Sequence, residues 1–229
     1  TPMQLLPRLA SDEEALRKTA LWLFERHPEM ANEMAGFLKN QLARAAALSN
    51  EERTELERQL AGFSHDPAVQ QVMTDALATE ARATRWLVFD AIASASIKKI
   101  PTAWGKAVEA ELAGRDEAVT QAALNAAHTL GRAAKSKAFN AALLKLAIDS
   151  KRSTELRLGA ITAITELSAP LDAGVFSFLQ IQVAPGQPAM RRAAAASQFA
   201  RAKLSGAQQL ALIGSMPAVG PLELTRLLR

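Results

Sequence analysis

Val119-Thr120-Gln121-Ala122-Ala123 belongs to a helix pattern that the chain uses four times. Thr84-Arg85-Trp86-Leu87-Val88 precedes it, and Leu156-Arg157-Leu158-Gly159-Ala160 and Met190-Arg191-Arg192-Ala193-Ala194 follow it. Aligned on positions 85, 120, 157 and 191, the copies stand 35, 37 and 34 residues apart. That period has room for two short helices and their turns, and it is too short for a separate domain. It predicts stacked helix pairs, each burying its apolar face on its neighbours.

Composition agrees with that reading. The 229 residues are better counted as about six helix pairs than as one or two ordinary domains. A hydrophobic share of 49% excludes disorder of the whole chain and supplies a continuous core. That core is aliphatic: there is no Tyr, and the 8 Phe and 3 Trp are outweighed by Ala and Leu, the strongest intrinsic helix formers. The predicted class is therefore all-α.

The charge balance is mild, 27 basic against 23 acidic residues for a formal net of +4. A dedicated nucleic-acid binder concentrates positive charge more heavily, because each phosphate it neutralises needs a Lys or Arg. The chain has no cysteine, which removes disulfides, thiolate metal sites, haem attachment and thiol catalysis from these residues. No apolar run is long enough to span a bilayer. The start at Thr1 and a new amphipathic segment at Leu222, Leu224, Leu227 and Leu228 read as the ends of an internal piece of a longer protein.

Helix starts are marked by their caps. Ser11 with Glu14, Ser49 with Glu52 and Ser205 with Gln208 have capping-box spacing, Asp66 before Pro67 is an N-cap, and Pro28, Pro67 and Pro188 suit first turns. The expected helices are 12–26, 29–47, 50–62, 67–78, 81–95, 102–113, 116–130, 136–149, 153–167, 172–183, 188–201 and 205–214. Those at 81, 116, 153 and 188 carry small residues (Ala122, Ala123, Gly159, Ala160) and form the expected close-packed inner layer. Their partners carry bulk, as in Leu143, Leu144, Leu146 and Ile148, or Val175, Phe176, Phe178, Leu179 and Ile181. Residues 1–65 fit the period poorly and are expected to form an irregular helical cap, followed by repeats over 66–229 in one continuous solenoid. Within the cap, Ala20 to Glu25 is apolar nearly all round, which marks a buried helix or one pressed on another domain.

Helix pairs at this period, with an Asp-Pro entry and an Arg or its equivalent early in the second helix, resemble HEAT or armadillo-type repeats over about 66–229, which implies a right-handed α–α superhelix. A narrower resemblance rests on Trp22-Leu23-Phe24-Glu25-Arg26-His27-Pro28, Gln59 to Phe63 leading to Asp66-Pro67-Ala68-Val69-Gln70, Glu155-Leu156-Arg157-Leu158, and Gly220-Pro221-Leu222-Glu223-Leu224. These segments are similar to the helical region of planctomycete-type multidomain membrane-bound dehydrogenases. That family joins a propeller-like dehydrogenase domain, HEAT-like repeats and a haem-binding CxxCH segment. Neither a CxxCH segment nor a propeller is present, so no catalytic or haem-binding position transfers. The resemblance implies a spacer or docking role, in a periplasmic or membrane-associated protein.

Chemistry-bearing constellations are absent from the pattern. His27, His65 and His128 have no second ligand at i+3 or i+4, so no metal site is expected. Asp12-Glu13-Glu14, Glu51-Glu52 and Asp116-Glu117 sit at helix starts, where they complement the backbone dipole. No nucleophile elbow or glycine-rich phosphate loop occurs, and no catalytic residue or cofactor is expected. One recurrence stands out: Lys98 and Lys99, then Arg132, Lys135 and Lys137, then Arg201 and Lys203 follow the repeat-defining helices, although Ser168-Ala169-Pro170 breaks the series. Lined up along one solenoid edge they would face an acidic partner; as cations at helix C-termini they would simply complement the dipole. Trp86 and Trp104 read as core, while Trp22 packs internally or contacts another domain. The expected function is a non-catalytic interaction or inter-domain scaffold, with other domains or another protein as partner. The alternative is a HEAT-type module that grips a nucleic-acid backbone with the basic edge.

Overall fold

The computed structural model describes residues 2–9, 11, 13–27, 30–97, 100–131 and 136–215. Its helices are α1 (Pro2–Leu9), α2 (Glu14–Arg26), α3 (Ala31–Ala43), α4 (Asn50–Gly62), α5 (Pro67–Leu77), α6 (Arg82–Ser94), α7 (Thr102–Glu111), α8 (Glu117–Leu130), α9 (Lys137–Ile148), α10 (Thr154–Ala163), α11 (Ala173–Gln182), α12 (Ala189–Arg201) and α13 (Gly206–Ser215). No strand occurs among the described residues, so the chain is all-α, with helices packed on their sequence neighbours in a manner compatible with a helical solenoid. Contacts divide it into two units, Thr1–Ala133 and Ala134–Arg229. The boundary between the expected cap over 1–65 and the repeats falls inside the first unit.

Three of the four side-chain caps read from the sequence form. Ser49 and Glu52 close a reciprocal capping box, as do Ser205 and Gln208. Asp66 accepts from the Ala68 and Val69 amides, and Asp116 from those of Ala118 and Val119. The box expected at Ser11 and Glu14 does not form. The Ser11 hydroxyl takes the Glu13 amide instead, its carbonyl accepts Arg17 Nη1 at 2.6 Å, and α2 starts at Glu14 without a side-chain cap. Two further departures have local causes. Helix α10 stops at Ala163, because Ile164 turns to extended backbone. The long helix expected over 29–47 ends at Ala43, followed by a 3-10 turn at Ala45–Ala47 that delivers the chain to the Ser49 cap. Helix α1 was not among the expected helices, which began at residue 12. At the end of α8, Gly131 has φ +44°, a conformation that favours glycine.

The small-residue helices form the interior. Helix α8 buries Ala122, Ala123, Leu124, Ala126, Ala127 and Leu130, and its closest partner in the first unit is α6. Bonds between these two helices span one repeat of sequence. Arg82 pairs with Asp116 at their N-terminal ends, and Thr129 Oγ1 donates to the Ala93 carbonyl at 2.7 Å near their C-terminal ends. Contacts at matching ends mean that α6 and α8 run parallel. The second unit repeats the device. Arg191 pairs with Glu155 where α12 and α10 begin, and Gln198 reaches Thr162 at 3.3 Å where they end.

At three of the four aligned positions the side chain ties its helix to an adjacent partner helix, whereas the fourth, Arg191, pairs with Glu155 of α10. Thr120 is fully buried and donates to the Glu111 carbonyl at the end of α7. Arg157 donates to the Ala147 carbonyl at the end of α9 at 2.8 Å, and its guanidinium lies 3.8 Å from the centre of the Phe178 ring in α11. Arg85 meets the carboxylate of Glu111, which is almost wholly buried. Beside that pair, a Cβ on Gly114 would stand 2.2 Å from Glu111 Oε1 and 2.8 Å from the Glu111 carbonyl oxygen, so this position admits only glycine.

Removing one partner of a buried ion pair leaves an uncompensated charge, which is far worse than replacing both. Arg85→Met is therefore expected to lower stability by about 3 kcal/mol, and Arg85→Met with Glu111→Leu to recover most of it. Urea unfolding monitored by circular dichroism measures both; equal losses in the single and double variants would contradict the pairing.

Candidate functional site

Of the basic residues expected along one edge, Lys98, Lys99, Arg132 and Lys135 lie outside the described residues. Arg201, in the last turn of α12, directs its guanidinium at the Thr162 and Ile164 carbonyls that end α10, and burial lowers its pKa. Its charge serves the negative end of the neighbouring helix. Lys203 is exposed, and its carbonyl accepts from the Leu171 amide. Lys137 is also exposed, but it is the first residue of α9, where a cation opposes the helix dipole. Helix-end complementarity therefore accounts for Arg201 and does not account for Lys137.

The aromatic expectations divide. Trp104 is fully buried, its indole N–H donating to Thr74 Oγ1 at 3.1 Å. Trp86 is only half-buried beneath Arg82. Trp22 is 50% exposed, with the Arg26 guanidinium 4.4 Å from its ring centre. One face of α2 carries it outward while Ala20 and Phe24 point in, so the segment is not buried all round. Ile148 and Ile181, two of the bulky residues of the partner helices, are exposed as well, Ile181 by 59%. Helix α13 goes further: Leu210 is 72% and Ile213 56% exposed, and Leu212 is its one buried residue among those described. Gln180 Nε2 donates to the Ala211 carbonyl, which sets α11 beside α13 and places their exposed apolar residues on adjoining helices.

Two groupings were not foreseen. Asp90 of α6 is half-buried and lies within the field of Glu57 of α4, whose carboxylate accepts from Ser94 Oγ at 2.8 Å. Burial first, and the Glu57 charge second, push the Asp90 pKa up to about 6. The two carboxylates are 33 residues apart, close to one repeat, so the period itself could have signalled that they converge. Downstream on α8, Gln121 and Asn125 bond to each other at 3.0 Å on the exposed side of that helix. Secondly, His27 and His65 line one cavity of about 180 Å³ with Phe24, Met34, Phe63 and Val69. His65 Nδ1 sits 3.0 Å from the Gly62 carbonyl, and Asp66, also in the lining, is committed to capping α5. No group of three or more His, Cys, Asp or Glu able to hold a metal ion occurs among the described residues, and none of their helices is long and apolar enough to cross a membrane.

Comparison with known proteins adds no relative: no family model matches the chain, and no curated protein or solved structure is significantly similar to it.

The Asp90 environment has a pH signature. A carboxyl whose folded pKa is raised contributes stability that is complete below its unfolded value, about 3.9, and is lost as pH rises through the folded value. His128, whose pKa is lowered by burial, acts in the opposite sense below its usual range. The comparison of wild type with Asp90→Asn isolates the carboxyl. We expect the variant to be more stable at pH 7.5 by about 1 kcal/mol, after allowing for solvent screening of a half-buried group, and the difference to vanish by pH 4. Thermal unfolding across that range measures it, and a difference independent of pH would contradict the assignment.

Proposed function

We propose that this chain is a non-catalytic interaction or scaffold module of the HEAT or armadillo type, built to present surfaces of stacked helix pairs to other domains of its own chain or to a second protein. The single observation that carries the reading is the apolar surface of α11 and α13, where Ile181, Leu210 and Ile213 stand in solvent. Folded proteins seldom leave neighbouring large aliphatic side chains exposed without a partner for them. The parallel ties one repeat apart support it as well, because they hold successive helices in a fixed register and so fix the spacing of whatever the surface binds. Following the narrower resemblance, the module belongs to a larger dehydrogenase-like protein and separates its oxidising domain from its electron acceptor.

The test is a photo-crosslinking amino acid at Leu210 in the native-length protein, inside its own cells, with the same group at exposed Lys151 as the comparison. A discrete adduct from position 210, mapped by mass spectrometry to another domain or another protein, is expected. No adduct at 210, or identical adducts at both positions, would contradict the reading. Duplex binding that weakens steeply with salt would instead favour the grip on a phosphate backbone.

A further inference from the structure

The two units differ in charge. Residues 1–133 carry 15 basic and 18 acidic side chains, whereas residues 134–229 carry 12 basic and 5 acidic. The mild net charge of the whole chain therefore conceals a strongly basic second unit. An excess of one sign on one part of a protein draws partners of the opposite sign.

Much of the excess gathers where α10 and α12 begin. Those two ends lie side by side, joined by Arg191 and Glu155. Lys151 and Arg152 lead into α10, Arg157 is the fourth residue of that helix, and Arg191 and Arg192 belong to the first turns of α12. Set against these five cations are two carboxylates, Asp149 at 3.6 Å from Arg152 and Glu155 on Arg191.

Helix-end chemistry does not explain this grouping. The backbone dipole places positive charge at a helix N-terminus and disfavours cations there, and α12 has no acidic residue in its first turn to offset them. The repeat does not explain it either: where α6 and α8 begin in the first unit, Arg82, Arg85 and Arg115 are balanced by Glu111, Asp116 and Glu117. Like charges crowded at paired helix starts are an electrostatic cost that an anionic partner relieves.

The surroundings narrow the kind of anion. Four of the five cations are Arg, whose planar forks suit carboxylate and phosphate alike. Met190, beside Arg191, is 84% exposed and follows exposed Pro188 and Ala189. Met and Arg are enriched in protein interfaces, and a phosphate backbone has nothing apolar to set on a Met. The first turns of α10 and α12 also hold no aromatic side chain on which a base could stack.

We propose that the paired starts of α10 and α12 dock an acidic protein segment bearing an apolar side chain, its carboxylates on Lys151, Arg152 and Arg192 and its apolar group on Met190. This rests on the chain being an interaction module, but its residues differ from those on α11 and α13. A crosslinker at Lys151 thus captures a different segment from one at Leu210, and failure of either leaves the other standing.

The test titrates the full chain into a fluorescent peptide of about 12 residues, Glu with Leu at every fourth position, so that a helical form carries one apolar stripe. Saturation by ~1 mM is expected, with affinity falling as salt rises. Replacing the peptide's Leu by Ser, or Met190→Ser in the chain, should each weaken binding about threefold. Lys151→Glu, at an exposed position, should weaken it about fivefold. Lys203→Glu makes the same change of charge beyond the other end of α12 and should cost less than about twofold. Equal losses in the two charge variants, no effect of Met190→Ser, or no saturation would overturn the proposal. Tighter binding of a DNA duplex of equal charge would overturn it as well, and would make the patch a grip on phosphate.

Discussion

A carboxylate taken out of water must be met by a cation, and the end of α7 is organised around that constraint. Glu111 is enclosed where α6, α7 and α8 come together; Arg85 from α6 meets its side chain, and Thr120 from α8 bonds its carbonyl. Gly114 has no side chain because there is no space for one beside that carboxylate. Three helices are thereby tied at one point, and the alanine face of α8 can lie closely on α6 only if that point holds. Attraction and desolvation nearly cancel in such a pair, so its contribution is geometric more than energetic. Net stability comes from the aliphatic core, where each fully buried large side chain contributes about 1.5–3 kcal/mol.

The same logic explains why the repeat is visible in the sequence at all. Positions that recur one period apart do so because their side chains reach adjacent helices in equivalent places. Arg157 meets the end of α9 as Thr120 meets the end of α7, although one is charged and the other is not. Arg82 with Asp116 and Arg191 with Glu155 occupy matching places at the starts of paired helices. Such exposed pairs add little stability singly, but each selects one register over a slip by a turn.

Legibility followed how local the governing interaction is. The caps at Ser49, Asp66 and Ser205 act within three residues and were readable directly. Helix α1 was not, because its eight residues offer little local signal and its support is tertiary contact with α2. The outward positions of Ile148, Ile181 and Trp22 could not be read from the sequence, because hydrophobicity alone does not say which face of a helix has a neighbour. The Glu57 and Asp90 carboxylates converge only through packing of helices one repeat apart, which no local pattern encodes. What the surfaces bind is further from the sequence still, since a solenoid-compatible stack supports many partners.

The central claim is that within each unit the paired small-residue helices, α6 with α8 and α10 with α12, run parallel with matching ends together. Because the chain has no cysteine, paired cysteines introduced at chosen positions report distances without interference. Arg82→Cys with Asp116→Cys should be joined efficiently by a short bis-maleimide, whereas Arg82→Cys with Thr129→Cys, about 20 Å apart along α8, should not. Efficient joining of the second pair and not the first would mean antiparallel helices and would contradict this account.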